Sequence, residues 1–358
     1  MNIRSLRLAA ALAAVSLLAA ACGGSGGDTS TTDSSETVVS DTSAPATGGG
    51  TLIYVTPNPI GTNAFLQLGK AGTEQAAAAM GGDFKVFESS DPTTIRQNVE
   101  AAIAEKPTVV IVIGFEFADV LAELAPANPD QQFLLVDQCI DSPPVNLTCA
   151  VFREYEGTFL LGAEAGLLTK SNKVGTVGAL DIPFLRRYTE GFAEGAKQTN
   201  PTVTTNKTFV GGDNPFADPA RGKEQALAMA SDGTDMIFAA ASASNSGVFD
   251  AAKSKGVFSF GVDINQCPDA PGVIVDNIEK HVDAAIVQAV ADIIAGTAQQ
   301  FSSYGLAEGG IVLTGLTTDV ATSQCVIAEH PDVITAVADL RSQIVSGAIT
   351  LVDPLTTG

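Results

Sequence analysis

"KVGTVGALDIPFLRRYTEGFAEGA", residues 173–196, contains a strand, a turn and a helix in one continuous stretch. Lys173 to Val177 is a short β-rich run. "GTVGAL" (175–180) lacks the G-x-G-x-x-G spacing of a dinucleotide loop and reads as a tight strand-to-helix turn. Beyond it Phe184, Tyr188, Phe192 and Ala196 recur every four residues, while Arg186, Arg187, Glu190 and Glu194 occupy other faces, which is the pattern of an amphipathic helix. Pro183 stands at its start, where a missing N–H costs nothing.

The same alternation extends in both directions. TLIYV, FKVFE, TVVIVI, QFLLV, DMIFAAA, VFSFGV and GIVLT are further short β-rich runs, with helical stretches between most of them. Val109 to Ile113 is purely apolar and has the length of a buried strand. Strands alternating with helices imply a parallel sheet covered on both faces. From Thr51 onward about 300 residues follow this pattern, more than one core comfortably holds, so two α/β lobes are expected.

The N-terminus is of another kind. MNIRSLRLAAALAAVSLLAAA carries Arg4 and Arg7, then an apolar run ending in small residues, the layout of a secretory signal over residues 1–21. At about 14 residues the run is short for a spanning helix, which needs roughly 20. Cys22 follows Leu18, Ala19, Ala20 and Ala21, the setting of a lipidated cysteine at a cleaved N-terminus, although the large apolar residue stands one place further upstream than usual. The alternative is ordinary cleavage at Ala21 with an incidental thiol. Residues 22–50 are rich in Gly, Ser, Thr and acids, cannot bury enough apolar surface to offset ordering entropy, and read as a flexible tether.

The formal charge is -21, more negative still once Arg4 and Arg7 leave with the signal. Such a surface repels phosphate backbones, so nucleic acid is not an expected partner. Four cysteines remain after Cys22, namely Cys139, Cys149, Cys267 and Cys325, and an even number in an exported chain favours two disulfides. Spacing alone does not fix their connectivity, but Cys139 with Cys149 closes a short Pro-containing loop and leaves Cys267 with Cys325. There are two histidines, His281 and His330, neither in a metal or triad spacing. His281 is expected to be solvated within a helix. With no P-loop and no G-x-S-x-G elbow, nothing points to an enzyme, a cofactor or a metal.

Six segments in order carry a family resemblance: "IGFEFADVLAELA" (113–125), "VDQC" (136–139), "FREYEGTFLLGAEAG" (152–166), "GFAEGAKQTNP" (191–201), "ADPARGKEQA" (217–226) and "GVDINQ" (261–266). Together they resemble the basic membrane protein family of substrate-binding lipoproteins, also called PnrA-like, which deliver nucleosides to ABC importers. The resemblance implies a type I periplasmic binding protein fold, two doubly wound parallel-sheet lobes joined by a three-segment hinge. Lobe 1 would comprise residues 51–152 with 264–309 and lobe 2 residues 153–263 with 310–358, the chain crossing near Phe152, Asp263 and Gly309. The ligand would sit between the lobes at the carboxyl ends of the strands.

On that resemblance Phe65, seven residues before Gly72, and Phe216, two before Asp218-Pro219, would sandwich a flat heterocycle, a contact every base can make. Core packing is the alternative for either ring. Asp263 would accept from two ribose hydroxyls and Lys280, three before Asp283, would donate to the same sugar; the alternative is a hinge salt bridge. Asp137 would reach the base, or else cap a loop beside Cys139. Asn63 stands in the loop that carries the family's polar base readers.

The sequence also departs from the family. Its Asp-Lys-Ser-Phe-Asn is Thr62-Asn63-Ala64-Phe65-Leu66 here, and its Gly-rich turn after the sixth strand is Ser242-Ala243-Ser244-Asn245-Ser246-Gly247. Stacking and ribose contacts are retained while base readout is rewritten. The expectation is therefore a monomeric solute-binding lipoprotein, exported and membrane-anchored through its lipid. It would hand a nucleoside, purine favoured, to an ABC permease. A sugar or other small molecule, in uptake or sensing, is the alternative.

Overall fold

The computed structural model describes residues 49–356. The signal segment, Cys22 and the tether up to residue 48 lie outside them. In chain order the first half contains β1 (Thr51–Thr56), α1 (Ala64–Ala79), β2 (Asp83–Glu88), α2 (Pro92–Ala104), β3 (Val109–Ile113), α3 (Ala118–Ala127), β4 (Phe133–Val136), β5 (Leu147–Phe152) and α4 (Glu154–Leu168). There follow β6 (Lys173–Gly178), α5 (Arg186–Thr199), β7 (Thr204–Phe209), α6 (Pro219–Ser231), β8 (Met236–Ala240), α7 (Asn245–Lys255) and β9 (Phe258–Asp263). The last elements are β10 (Ile274–Lys280), α8 (Val282–Ala295), β11 (Phe301–Tyr304), β12 (Ile311–Leu313) and α9 (Pro331–Val345).

Two six-stranded sheets result, in the orders β11-β5-β4-β3-β1-β2 and β12-β10-β9-β8-β6-β7. The orders correspond strand for strand, so the lobes are doubly wound in the same way. All pairings are parallel except that of β12 with β10. The central strand β3 is apolar throughout, and every residue of it is buried. The side-chain period of two sends Leu52 and Tyr54 to one core layer and Ile53 and Val55 to the other. The edge strand β2 instead alternates between exposed and partly buried residues.

The glycines of two sequence motifs are explained by the α4–α5 contact. A Cβ on Gly195 would stand 1.8 Å from the Phe159 carbonyl oxygen, and one on Gly162 2.0 Å from that of Phe192. The helices touch backbone to backbone, which a side chain would prevent. Disulfides join Cys139 to Cys149 and Cys267 to Cys325.

One expected crossing is displaced. The chain leaves the first sheet between Phe152 and Glu154, but it does not return near Asp263. The segment after Asp263 leads into β10, which pairs in parallel with β9 in the second sheet. The return to the first lobe comes after Lys280, where α8 packs on α1, so residues 264–280 belong with the second sheet. The third passage runs from Tyr304 to Ile311. Lys280 consequently ends a strand. His281, at the N-cap of α8, places Nδ1 2.8 Å from the Gly309 oxygen rather than in solvent.

Candidate functional site

The carboxyl ends of both sheets face one cavity of about 620 Å³, part of it open to solvent. Asn63, Phe65, Asp137, Phe216, Asp263 and Lys280 all line it.

Local structure explains each placement. Asn63 is the N-cap of α1, its Oδ1 accepting from the Leu66 N–H at 3.2 Å, which sets Phe65 in the first helical turn. Phe216 lies in the loop after β7. Ser244 pins that loop from the other side: its Oγ accepts from the Asp218 N–H at 2.8 Å and donates to the Pro215 carbonyl at 2.9 Å. Asp137 and Asp263 follow or end the corresponding strands β4 and β9, and both have left-handed backbones, with φ of 80° and 72°. Aspartate tolerates that conformation better than most residues. In each lobe the strand-end aspartate precedes a disulfide cysteine, Cys139 or Cys267.

Lys280 is 2 % exposed. Its ammonium donates to Asp137, to Glu154 Oε1 at 2.7 Å and to the Tyr188 hydroxyl at 3.3 Å. The Phe152 and Phe65 rings lie 4.8 and 5.0 Å from it, within cation–π range. Burial pulls this ammonium toward neutrality, but Asp137 and Glu154 outweigh burial and hold it well above the ordinary lysine value. Glu154 is itself fully buried, and burial lifts its carboxyl to about 7 against the opposing pull of Lys280. Its second oxygen lies 3.4 Å from Arg187, which also binds Asp353 and donates to the Phe152 carbonyl at 2.9 Å. Charges thus alternate from Asp353 through Arg187, Glu154 and Lys280 to Asp137.

The Asp263 carboxyl stands beside this chain but makes no hydrogen bond to any described residue. Burial raises its carboxyl to about 6, with Lys280 opposing the shift. The expected Asp263–Lys280 couple is therefore electrostatic. The direct partners of Lys280 are Asp137 and Glu154.

Several lining residues escaped sequence reasoning. Phe115 follows β3, with its ring 6.2 Å from Phe184 and 6.4 Å from Phe216. Phe184 and Tyr188 read as the apolar face of a helix, and that face forms part of the cavity wall. Glu154 and Phe115 both lay inside quoted motifs, which was the signal available. Glu116 and Ser242 line the cavity as well. Among the described residues no group of three or more His, Cys, Asp or Glu side chains could hold a metal ion, and no helix is long and apolar enough to cross a membrane.

Two matching α/β lobes with an aromatic, charged cleft at their facing strand ends define a two-lobed solute-binding protein. The family model described as ABC transporter substrate-binding protein PnrA-like matches residues 52–347, and the chain belongs to that family of binding proteins rather than enzymes. It is 29% identical over 281 residues to the CD4+ T-cell-stimulating antigen of Listeria innocua, covering 74% of this chain and 76% of that one. It is 28% identical over 295 residues to the ABC transporter nucleoside-binding protein BmpA of Lactococcus lactis subsp. cremoris, covering 76% and 78%. A solute-binding protein of an ABC transporter system from Aeropyrum pernix K1 superposes with a TM-score of 0.75 at 25% identity, over 85% of this chain and 93% of that one.

Proposed function

We propose that this chain is the extracytoplasmic solute-binding component of an ABC importer and that it carries a nucleoside, purine favoured, between its lobes to the permease. The observation that carries this reading is the make-up of the cleft. Phe65 and Phe115 from the first lobe and Phe184 and Phe216 from the second surround a cavity whose wall includes Asp263, a carboxyl group with no hydrogen-bond partner among the described residues. Flat rings suit a heterocycle, and a free carboxylate suits vicinal hydroxyls. The name of the Lactococcus relative supports the same ligand class.

Anchoring through an acylated Cys22 completes the reading, supported by the apolar run and small residues before it. Replacing Cys22 with Ala is expected to move the protein from membranes to the soluble fraction. The ligand is tested by a thermal-shift screen of nucleosides, free bases and sugars, since a ligand at 100 times its Kd adds about 2.7 kcal/mol of stability. Nucleosides are expected to raise the transition. A shift with sugars and none with nucleosides would transfer the assignment to a sugar carrier.

A further inference from the structure

Glu116 occupies the turn between β3 and α3, half-buried, on the cavity wall next to Phe115. That ring lies 6.4 Å from Phe216, and the Glu116 carboxyl lines the same cavity beside Gly114, its Oε2 2.5 Å from where a Cβ on that glycine would stand. No hydrogen bond or ion pair ties Glu116 to another described side chain. Its one partner is its own backbone N–H. The two residues expected to read the base are already engaged: Asn63 Oδ1 caps α1 and Asp137 holds Lys280. A further lining group, Ser242 Oγ on the corresponding turn of the second lobe, is buried with no partner. Buried polar atoms without partners are rare in native proteins, and in a cleft they mark where a ligand supplies the missing bonds.

We propose that Glu116 reads the hydrogen-bonding edge of the heterocycle, and that the proton on its carboxyl decides which bases are accepted. The inference rests on the nucleoside reading and deepens it. An ionised carboxylate only accepts, so it matches two adjacent N–H donors, as on the ring N–H and 2-amino group of guanine. A neutral carboxyl donates once and accepts once, matching a ring nitrogen beside an amino group, as in adenine. Both states are accessible near neutrality, because burial lifts the group to about 7 and the neighbouring Asp137 acts in the same direction. Of the other charged groups at the cleft, Lys280 and Glu154 are bound to each other and Asp263 ends β9. The loop after β1 brings Pro57 and Asn58, which carry no charge.

The test is calorimetric titration of the purified chain with guanosine and with adenosine at pH 5.5 and 8.5, where both bases are predominantly neutral. The same titrations are run on Glu116→Gln, whose amide donates and accepts at every pH. The ratio of the two affinities removes effects of Asp263 and Glu154 that act on both ligands alike. The native ratio of guanosine to adenosine affinity is expected to rise by about tenfold or more from pH 5.5 to 8.5. In Glu116→Gln, folded by its melting temperature, it is expected to stay flat. A native ratio constant within about twofold, or a Gln variant that keeps the pH dependence, overturns the assignment of Glu116 while leaving the nucleoside reading intact. Absence of binding by both nucleosides at both pH values overturns the nucleoside reading, and this inference with it.

Discussion

Lys280 Nζ lies 2.7 Å from Glu154 Oε1, binding the last residue of β10 to the first residue of α4. These are two of the points at which the chain passes between lobes, and the same ammonium also holds Asp137, beyond β4 of the first sheet. One buried cation thus joins both sheets at the base of the cleft. Its position couples how the lobes meet to the charge state of Asp137 and Asp263 on the cavity wall and of the buried Glu154 behind it.

Removing that cation should be severe. Lys280→Met strands Asp137 without its ion pair and leaves Glu154 only Arg187, 3.4 Å away, and breaking a buried pair from one side costs about 3–5 kcal/mol. The loss should be larger at pH 8 than at pH 5, because the buried Glu154 carboxyl, already lifted to about 7, takes up a proton at the lower value. Urea denaturation at both values checks this, and equal losses at the two would contradict the network described.

How much of this could be read from sequence depended on where polarity fell. VVIVI and KVGTV read as strands because their buried faces are apolar. IVDNIEK, which forms β10, was missed because a buried strand carrying Asp276, Asn277, Glu279 and Lys280 has no apolar pattern to detect. That omission moved the second crossing from Lys280 to Asp263 and set His281 within a helix instead of at its N-cap. The polar edge strand β7, TTNKTF, was obscured for a different reason, its alternation being weak. The six candidate residues came from motif positions, and they converge on one cavity. The Glu154 bridge and the Glu116 wall depend on three-dimensional proximity between distant segments, which no periodicity encodes.

The α4–α5 contact gives a test of the fold alone. Gly195→Ala would drive a methyl group into the Phe159 carbonyl, 1.8 Å from the ideal Cβ position. The helices must separate, which overpacking of this kind makes unfavourable by about 1–3 kcal/mol or more. Gly256→Ala at the end of α7 meets no atom within 4 Å and is penalised only by its φ of +65°, so it should be the milder of the two in thermal melts.

A buried acid pair in the second lobe predicts the sign of the pH dependence. Glu164 on α4 is 0 % exposed and neither carboxyl oxygen has a donor. Burial raises it well above the usual range, with the adjacent Asp276 adding to the shift. Asp276, accepting from the Gly315 N–H at 2.8 Å, is itself lifted by burial to about 7. Native pKa values above the unfolded ones mean that the folded state holds protons the unfolded chain has released. This contribution is complete below the ordinary carboxyl range and is lost as pH rises through about 7. Each such group can change stability by up to about 1.4 kcal/mol per pH unit in that window. The melting temperature should therefore fall from pH 5 to pH 8, and Glu164→Gln should flatten the slope. A steeper slope in the variant would refute the pairing.

Asp263 offers the sharpest separation between folding and binding. Its carboxyl has no hydrogen-bond partner among the described residues and is raised by burial to about 6, so the ionised form destabilises the free protein at neutral pH. Asp263→Asn removes that charge, and asparagine tolerates the left-handed backbone at φ 72°. The variant should melt at the same temperature as the native chain or higher when measured at pH 7.5. If the carboxylate holds two sugar hydroxyls, the same change should weaken a nucleoside by about tenfold or more while leaving the free base within about twofold, since only the nucleoside loses charge-assisted hydrogen bonds. Native affinity for the nucleoside, relative to the free base, should also rise with pH through about 6 as the acceptor ionises, and Asp263→Asn should abolish that rise. Parallel titrations of nucleoside and base at pH 5 and 7.5 decide it: equal weakening of both ligands would place Asp263 away from the sugar and leave its unpartnered carboxyl without a role in ribose recognition.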